Sequence, residues 1–138
     1  MREIIFRGKR LINCAWVEGL LERSLLSDKL VIHTPPKNPD DPDDHGLCRT
    51  IFPETIGEYT GLEDKNGKRV FEGDVVILTF SNSKCYGEVV FHNGGFCVNT
   101  LDTFISLQKC PAYEFELIGN VHDNPELLNT NEERDARE

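Results

Sequence analysis

Apolar residues along this chain recur at every second position or in short runs, which is the pattern of β-strands rather than of helices. Near the N-terminus the run EIIFR is followed by polar GKR and then by AWVEGLL, in which Trp16 can anchor a core. A hairpin that joins these two runs would form the first sheet. The third run, LVIHT at 30–34, ends at Pro35-Pro36, because proline cannot donate to a strand ladder.

Further strand candidates follow along the chain. The first of these, LCRTIF, precedes Pro53. Four others lie between residues 74 and 121: DVVILTF, CYGEVVF, FCVNT and EFELIGNV. DVVILTF is apolar on both faces, which is typical of a central strand or the interior of a small barrel. After the last strand, Asn124 as a helix N-cap and Pro125 at the first helical position predict a single helical turn.

An Asn-Gly pair at 93–94 predicts a hairpin between CYGEVVF and FCVNT. As a two-residue type I′ turn it pairs Phe91 with Phe96. The alternative, a Gly-Gly turn at 94–95, would place Phe91 opposite Val98. We prefer the first register because it opposes the two phenylalanines directly.

A second Asn-Gly pair, at 66–67, lies in the most patterned stretch of the chain, ETIGEYTGLEDKNGKRVFEGDVVIL at 54–78. Two turn geometries compete there. One is a two-residue turn centred on the pair, and the other is a type I turn from Asp64 to Gly67, in which Gly67 is left-handed and forms a bulge. We favour the second, because aspartate is a preferred first residue of a type I turn.

The end of this stretch, Glu72-Gly73-Asp74, is interpreted as a tight corner before a strand. Small SH3-like barrels often enter a strand through such a Gly-Asp corner. We therefore predict a mainly β protein of small β-barrel-type architecture in one compact domain. Its parts are an N-terminal β unit at 1–52 with an exposed Pro/Asp-rich loop at 35–46, an SH3-like unit at 53–128, and a flexible polar tail at 129–138.

Charge and length narrow the function classes. The 138 residues carry 24 acids and 15 bases, a net charge of −9, which favours attraction to a basic partner surface. Nucleic-acid binding draws on clustered bases, and only Arg7, Lys9 and Arg10 form such a group, so nucleic acid is the weaker prediction. No apolar run approaches the ~20 residues that cross a bilayer, and the N-terminus lacks signal-peptide features, so a cytoplasmic protein is expected.

Residues that could carry chemistry form no recognised constellation. The five cysteines lack a CxxC pair and are expected to be reduced and mostly buried. His45 with Cys48, and His92 with Cys97, are the candidates for a nucleophile with its base, but His92 and Cys97 are not directly opposed in the preferred register. His45-Gly-Leu-Cys48 also resembles a two-ligand zinc knuckle, but it lacks a partner pair. The acidic run at 40–45 lacks EF-hand spacing, and its metal binding is left open.

The remaining candidate for catalysis is a pair of carboxylates acting as in a hydrolase. Glu54, Glu58, Glu72 and Asp74 lie close in sequence, whereas a paired-carboxylate hydrolase needs acids that converge on a cleft. The corner motif accounts better for Glu72 and Asp74. We therefore predict a protein that is not an enzyme, with no catalytic, cofactor-binding or metal-binding residues and no cofactor.

Four segments of the chain form a recognisable set: MREIIFRGKR at the start, WVEG at 16–19, PETIGEYTGLEDKNGKRVFEGDVV at 53–76, and FELIGNVHDNPELL at 115–128. In this order along the chain, they resemble the YopX protein family. The resemblance implies a β-rich fold, a bacteriophage or prophage origin and the bacterial cytoplasm as the setting, and it supplies no established activity, cofactor or catalytic set. The chain departs from the family pattern at LINCA, 11–15, where a glycine-bearing turn is expected.

Two functions follow as hypotheses. The leading one is a non-enzymatic phage accessory protein that binds another protein, of the host or of the phage, or that binds copies of itself. The alternative is a nucleic-acid-associated module that uses Arg7, Lys9 and Arg10 as a local basic face. Neither hypothesis involves a membrane.

Overall fold

A computed structural model describes residues 3–44, 46–80, 83–100, 102–111 and 114–128. Within them the chain consists mainly of antiparallel strands, as the periodicity predicts. It divides into two compact units, Met1–Tyr59 and Thr60–Glu138, which we call unit 1 and unit 2.

Unit 1 is an antiparallel meander of four strands followed by a short turn. Its elements are β1 (Phe6–Lys9), β2 (Trp16–Arg23), β3 (Leu30–Thr34), β4 (Leu47–Thr50) and a 3₁₀ turn, Pro53–Thr55. The order β4-β3-β2-β1 continues beyond β1 with β5 (Gly57–Glu63), which leads into unit 2. The predicted N-terminal hairpin is confirmed, although β1 extends through polar Lys9, which pairs with Trp16.

One face of the meander carries the core of unit 1. Ile32 and Ile51 are almost completely buried there. Gly8 in β1 approaches Ile51 so closely that a β-carbon at position 8 would lie 2.7 Å from Ile51 Cδ1. The opposite face, by the alternation of the strands, carries mostly polar and charged side chains.

Unit 2 contains the end of β5, the short strand β6 (Arg69–Phe71) and a five-stranded antiparallel sheet of order β10-β9-β8-β7-β11. The strands of this sheet are β7 (Asp74–Phe80), β8 (Ser83–His92), β9 (Gly95–Asn99), β10 (Phe104–Ser106) and β11 (Phe115–Asn120). A 3₁₀ turn, Leu107–Lys109, follows β10. The sequence analysis missed β10 and this turn, because three-residue elements leave no periodic pattern.

Strand β7 is central, as its two apolar faces predict. It lies between β8 and β11, and Val75, Val76 and Leu78 are completely buried. Two of these belong to the core of unit 2, whose other buried members are Val70, Val89, Val98, Leu107, Cys110 and Phe115.

The predicted barrel closure is wrong for the strands that the structure describes. They form two open antiparallel sheets, and β10 and β11 are the outer strands of the five-stranded one. Closure of that sheet would require a ladder between these two strands, and β10 offers only three residues for it.

The preferred register of the β8–β9 hairpin is confirmed. Phe91 pairs with Phe96, and Asn93 and Gly94 both have positive φ, as a type I′ turn requires. The two phenylalanine rings meet edge to face with centroids 5.3 Å apart. Phe96 is buried, whereas Phe91 remains largely exposed.

The β5–β6 connection takes the favoured bulge geometry. The main-chain N–H of Gly67 donates to the oxygen of Asp64 at 3.0 Å, and Gly67 has a φ of +80°. The N–H of Asp64 donates to the oxygen of Lys68 at 2.8 Å. Together these features define a type I turn that a left-handed glycine closes.

The buried side chain of Asp64 ties this turn to the last strand. One carboxylate oxygen accepts the main-chain N–H groups of Asn66 and Lys68, each at 2.9 Å, and the other accepts the N–H of Leu117 in β11 at 2.9 Å. Burial by itself raises the pKa of this carboxyl, but the three N–H groups and the charge of Lys68 hold the pKa below its ordinary value. The register of β11 shifts between Leu117 and Gly119, so the carboxylate satisfies a donor beside a bulge.

The predicted Glu-Gly-Asp corner is confirmed as a structural element. Gly73, with a φ of +88°, donates its N–H to the oxygen of Val89 at 2.9 Å and accepts the N–H of Val121 at 2.8 Å. The carboxylate of Asp74 accepts the main-chain N–H of Phe71 at 2.7 Å. The glycine and the acid therefore hold the strand entry together.

Helical conformation appears at residues 126–128, where a single turn is predicted. The side chain of the predicted N-cap, Asn124, accepts the N–H of Asn120 at the end of β11, at 3.3 Å. A β-carbon at Gly119 would lie 2.6 Å from Asn124 Oδ1, so glycine makes this approach possible. The predicted tail at 129–138 lies outside the described residues.

We expect Asp64→Asn to lower the free energy of unfolding by about 1–3 kcal/mol at pH 7, because an amide cannot accept all three N–H groups. Since folding lowers the pKa of Asp64, its contribution is complete above the unfolded-state pKa of about 3.9 and is lost as the pH falls through the folded-state pKa. Urea unfolding from neutral to acid pH measures the gap, which should close at acid pH.

The control for this experiment is Asp102→Asn, which changes an exposed carboxylate. It should alter stability by no more than about 0.5 kcal/mol. A gap between Asp64→Asn and wild type that stayed constant into strong acid would contradict the assigned role of the carboxylate.

We expect Gly67→Ala to destabilise the protein by about 1 kcal/mol, the strain of a left-handed alanine. A β-carbon there would meet only Glu63 Oε2, at 4.0 Å, so the effect is conformational rather than steric. Gly95→Ala is the matched control, because Gly95 has no positive φ and open space around it. Thermal unfolding of both variants tests this, and equal melting temperatures would contradict it.

Candidate protein-interaction surface

Of the two His/Cys pairs considered from the sequence, His92 with Cys97 lies within the described residues. The Cys97 thiol donates to the main-chain oxygen of His92 at 3.8 Å, and the imidazole of His92 stacks on Phe104 with ring centroids 3.8 Å apart. His45 lies outside the described residues, so its pairing with Cys48 has no structural counterpart here.

All five cysteines are free thiols, but the expectation that they are mostly buried is wrong. Cys110 is buried, Cys85 and Cys97 are half-buried, and Cys14 and Cys48 are exposed. Burial raises the pKa of the Cys85 and Cys110 thiols. Both exposed thiols belong to unit 1, where loops and edge strands offer little apolar cover.

In the acidic loop the carboxylate of Asp44 organises the main chain. Its two oxygens accept the N–H groups of Asn38 at 3.0 Å and Gly46 at 3.1 Å. These hydrogen bonds lower the pKa of Asp44. The carboxylate oxygens of Asp44 thus accept hydrogen bonds from within the loop. Metal binding by residues 40–45 is left open.

Among the residues described, one group of at least three His, Cys, Asp or Glu side chains brings its ligand atoms within 4.8 Å of one another. It consists of Glu22, His33 and Cys48, on β2, β3 and β4. Neither the four carboxylates considered from the sequence nor the described aspartates of the acidic loop belong to it. The sequence analysis missed this group, because the three residues are far apart in the chain and the pairing of β3 with β4 follows a long loop.

The basic group is divided between two faces of the sheet. Arg7 and Lys9 share a face, where the Arg7 guanidinium lies 4.6 Å and the Lys9 ammonium 5.4 Å from the centre of the Trp16 ring. Arg10 is the next residue after Lys9 and bridges to Ile51, so strand alternation turns it to the other face. The predicted single basic face is therefore wrong for Arg10.

Exposed apolar side chains concentrate in unit 1. Its large exposed hydrophobic residues are Ile4, Leu11, Ile12, Leu20, Leu25, Leu26 and Leu47. Leu25 and Leu26 are completely exposed. Together with Leu11 and Ile12 they lie on two connections, 11–15 between β1 and β2 and 24–29 between β2 and β3, which we call the apolar loops.

The second apolar loop is a well-defined turn. The N–H of Asp28 donates to the oxygen of Ser24 at 2.9 Å, and the N–H of Ser24 donates to the oxygen of Lys29 at 2.8 Å. The Arg23 guanidinium donates to the main-chain oxygen of Asp28 at 2.9 Å and lies 3.5 Å from its carboxylate. The turn thus presents its two leucines to solvent from a hydrogen-bonded frame.

The first apolar loop is anchored to β4. Leu11 donates its N–H to the oxygen of Thr50 at 2.9 Å, and Cys14 adopts a φ of 58° while donating to the oxygen of Arg10 at 2.9 Å. Ile12 projects from this loop and is exposed. Residues 11–15, LINCA, where the chain departs from the family pattern, therefore form an ordered loop that contains no glycine.

A pocket of about 470 Å³ lies between the apolar loops. Its lining combines apolar residues, Leu11, Leu30, Ile51 and Pro53, with the charged residues Arg23, Asp28 and Lys29. A mixture of apolar and charged lining residues, beside exposed leucines, is typical of an interaction site. The sequence contains one indication of this surface, the pair of leucines inside the polar turn RSLLSDK, which belongs to no predicted strand.

In the described part of the chain, no helix is long and apolar enough to span a membrane. The described residues thus define a mainly β protein of two compact units, whose candidate site is a pair of ordered apolar loops rather than a cluster of catalytic side chains.

Comparison with known proteins identifies the family. The model of the YopX protein family matches residues 11–129, and the chain belongs to this family, as the sequence motifs predict. Among solved structures, the crystal structure of protein EF1440 from Enterococcus faecalis is similar with a TM-score of 0.60 and 24% sequence identity, over 93% of this chain and 99% of that chain. That likeness supports the fold alone, and a search of curated proteins gave no significant match.

Proposed function

We propose that this YopX-family protein is a non-enzymatic accessory protein of a phage or prophage that binds another protein in the cytoplasm of the bacterial host. The observation that carries the proposal is the complete exposure of Leu25 and Leu26 on a hydrogen-bonded turn. When a partner covers two adjacent leucines that an ordered turn holds in water, the free energy of the system falls, because apolar surface leaves water.

Burial of the two leucines is a favourable contribution that does not by itself offset the cost of association. Burying both leucines contributes roughly 3–6 kcal/mol before binding costs. Leu11 and Ile12 are also exposed, and together with the apolar lining residues of the neighbouring pocket they extend the surface that a partner would cover. Because association has a substantial entropic cost, a partner must engage both loops rather than the two leucines alone.

The partner that fits best is basic. The net charge of −9 attracts a positively charged surface and speeds the encounter. The pocket lining also carries charged residues of both signs, Arg23, Asp28 and Lys29, which allow specific ion pairs with a partner. The SH3-like comparison for unit 2 stays a prediction, and the proposed interaction does not depend on it.

We expect the double variant Leu25→Ser, Leu26→Ser to lose its partner. The immobilised protein is exposed to lysate of host bacteria over a salt series, and bound proteins are identified by mass spectrometry. Wild type should retain a basic protein whose capture weakens as salt rises. Because the changed side chains are solvated, thermal stability should stay within about 0.5 kcal/mol of wild type.

The matched control is Leu47→Ser, which removes an exposed leucine of unit 1 outside the apolar loops. It should capture the same partner as wild type. Equal capture by wild type and the double variant would contradict the proposal. If sedimentation instead shows a wild-type dimer that the double variant abolishes, the partner is a second copy of the chain.

The nucleic-acid alternative has one structural observation in its favour. Arg7 and Lys9 both lie close to the ring of Trp16, and all three side chains are half-buried. Basic residues beside an aromatic ring are found in single-strand binding surfaces. The division of the basic group and the acidic net charge oppose it. It therefore remains the second candidate.

We expect no band shift with single- or double-stranded DNA or RNA at about 0.15 M salt, where a few exposed bases contribute little affinity. A shift that Arg7→Ala with Lys9→Ala abolishes would instead establish the alternative. The single variants Arg7→Ala and Lys9→Ala are compared with the control Arg10→Ala, which also removes one positive charge but from the opposite face.

A further inference from the structure

Three neighbouring strands of unit 1 place Glu22, His33 and Cys48 on one face. His33 in β3 is directly opposite Cys48 in β4. On its other side His33 is opposite Leu20 in β2, and Glu22 is two residues farther along that strand, so its side chain is the diagonal neighbour of the imidazole. The three side chains therefore meet because of strand register, although 26 positions separate the first from the last.

The donor atoms are already close. The ligand atoms of the three residues lie within 4.8 Å of one another. His33 Nδ1 is 3.3 Å from Glu22 Oε1. The glutamate and the cysteine are exposed and the histidine is half-buried, so an ion can reach the group from solvent.

The donor types fit zinc. Thiolate, imidazole and carboxylate are its usual protein ligands, at about 2.0–2.3 Å, and tetrahedral geometry at those lengths separates ligand atoms by about 3.4 Å. The imidazole–carboxylate distance matches this separation. The remaining distances are reached by rotating the Cys48 thiol and the flexible Glu22 side chain, since neither is held in a packed core.

Gly46 lies close to the imidazole of His33. A β-carbon at this position would lie 3.0 Å from His33 Nε2 and would also collide with the main-chain oxygen of Thr34. Its φ of +77° is likewise a glycine conformation. Glycine at the end of the Pro/Asp-rich loop thus lets the main chain approach the Nε2 edge of the imidazole, while Nδ1 faces Glu22.

We propose that Glu22, His33 and Cys48 bind one zinc ion, with water as the fourth ligand. The ion would join β2, β3 and β4 across the meander. Binding displaces the thiol proton of Cys48, since the thiolate is the ligand. The site uses neither Leu25 nor Leu26, so it stands independently of the proposed partner binding.

Two other readings of the group exist. One is a surface ion pair of Glu22 with His33 beside an unrelated thiol, and the other is a thiol nucleophile activated by the imidazole. Only the zinc reading requires all three side chains to contribute to the affinity for a divalent cation. Cobalt is therefore a suitable probe, because a bound thiolate gives Co²⁺ a charge-transfer absorption that carboxylate or imidazole ligands do not.

The test is a Co²⁺ titration of the full chain under a reducing agent that does not bind metal, followed by displacement with Zn²⁺. We expect one Co²⁺ per chain with thiolate charge transfer, which one equivalent of Zn²⁺ removes. Cys48→Ser should abolish the absorption, His33→Asn should reduce the affinity at least tenfold, and Glu22→Gln should also weaken binding.

Cys14→Ser is the matched control, because Cys14 is another exposed thiol of unit 1 that lies outside the group. It should bind Co²⁺ as wild type does. Thermal unfolding without metal should show each variant folded, and added Zn²⁺ should raise the melting temperature of wild type and Cys14→Ser but not of Cys48→Ser. No stoichiometric charge transfer in wild type, or its survival in Cys48→Ser, would overturn the proposal.

Discussion

One buried carboxylate fixes how the parts of unit 2 connect. Asp64 accepts two N–H groups from its own turn and a third from Leu117, 53 residues along the chain. A buried donor without a partner costs more than a hydrogen bond gains, so removing this acceptor would leave both the hairpin tip and the bulged strand unsatisfied. The corner formed by Gly73 and Asp74 does the same for the entry of β7. The two aspartates and Gly73 therefore hold the strands of unit 2 together through hydrogen bonds with main-chain groups.

Unit 1 uses the same antiparallel pairing with a different outcome. Ile32 and Ile51 form the core on one face, where Gly8 approaches Ile51 closely. The loops of unit 1 carry exposed apolar side chains. The meander is a firm frame for the two apolar loops, because main-chain hydrogen bonds hold both of them. Both proposals for this protein, partner binding at the apolar loops and zinc binding across β2–β4, depend on that frame.

Local patterns predicted much of the fold. The turns at 66–67 and 93–94, the corner at 72–74 and the central position of β7 all follow from residues adjacent in sequence, because turn chemistry and strand alternation act over a few residues. The strands LVIHT and DVVILTF are found with the predicted bounds. Barrel closure was predicted wrongly, since it depends on how strands distant in sequence meet, and the single basic face failed because adjacent Lys9 and Arg10 lie on opposite faces of the pleat.

The sequence by itself determined that the protein is mainly β, acidic and of the YopX family, and it located the hairpin turns. Only the tertiary structure decided which side chains meet. It placed His33 opposite Cys48 across a connection of twelve residues, turned Leu25 and Leu26 to solvent, and brought the Asp64 carboxylate to Leu117. The physical reason is that a local pattern specifies the conformation of a segment, whereas register between segments is set by core packing and by the pairing of buried polar groups.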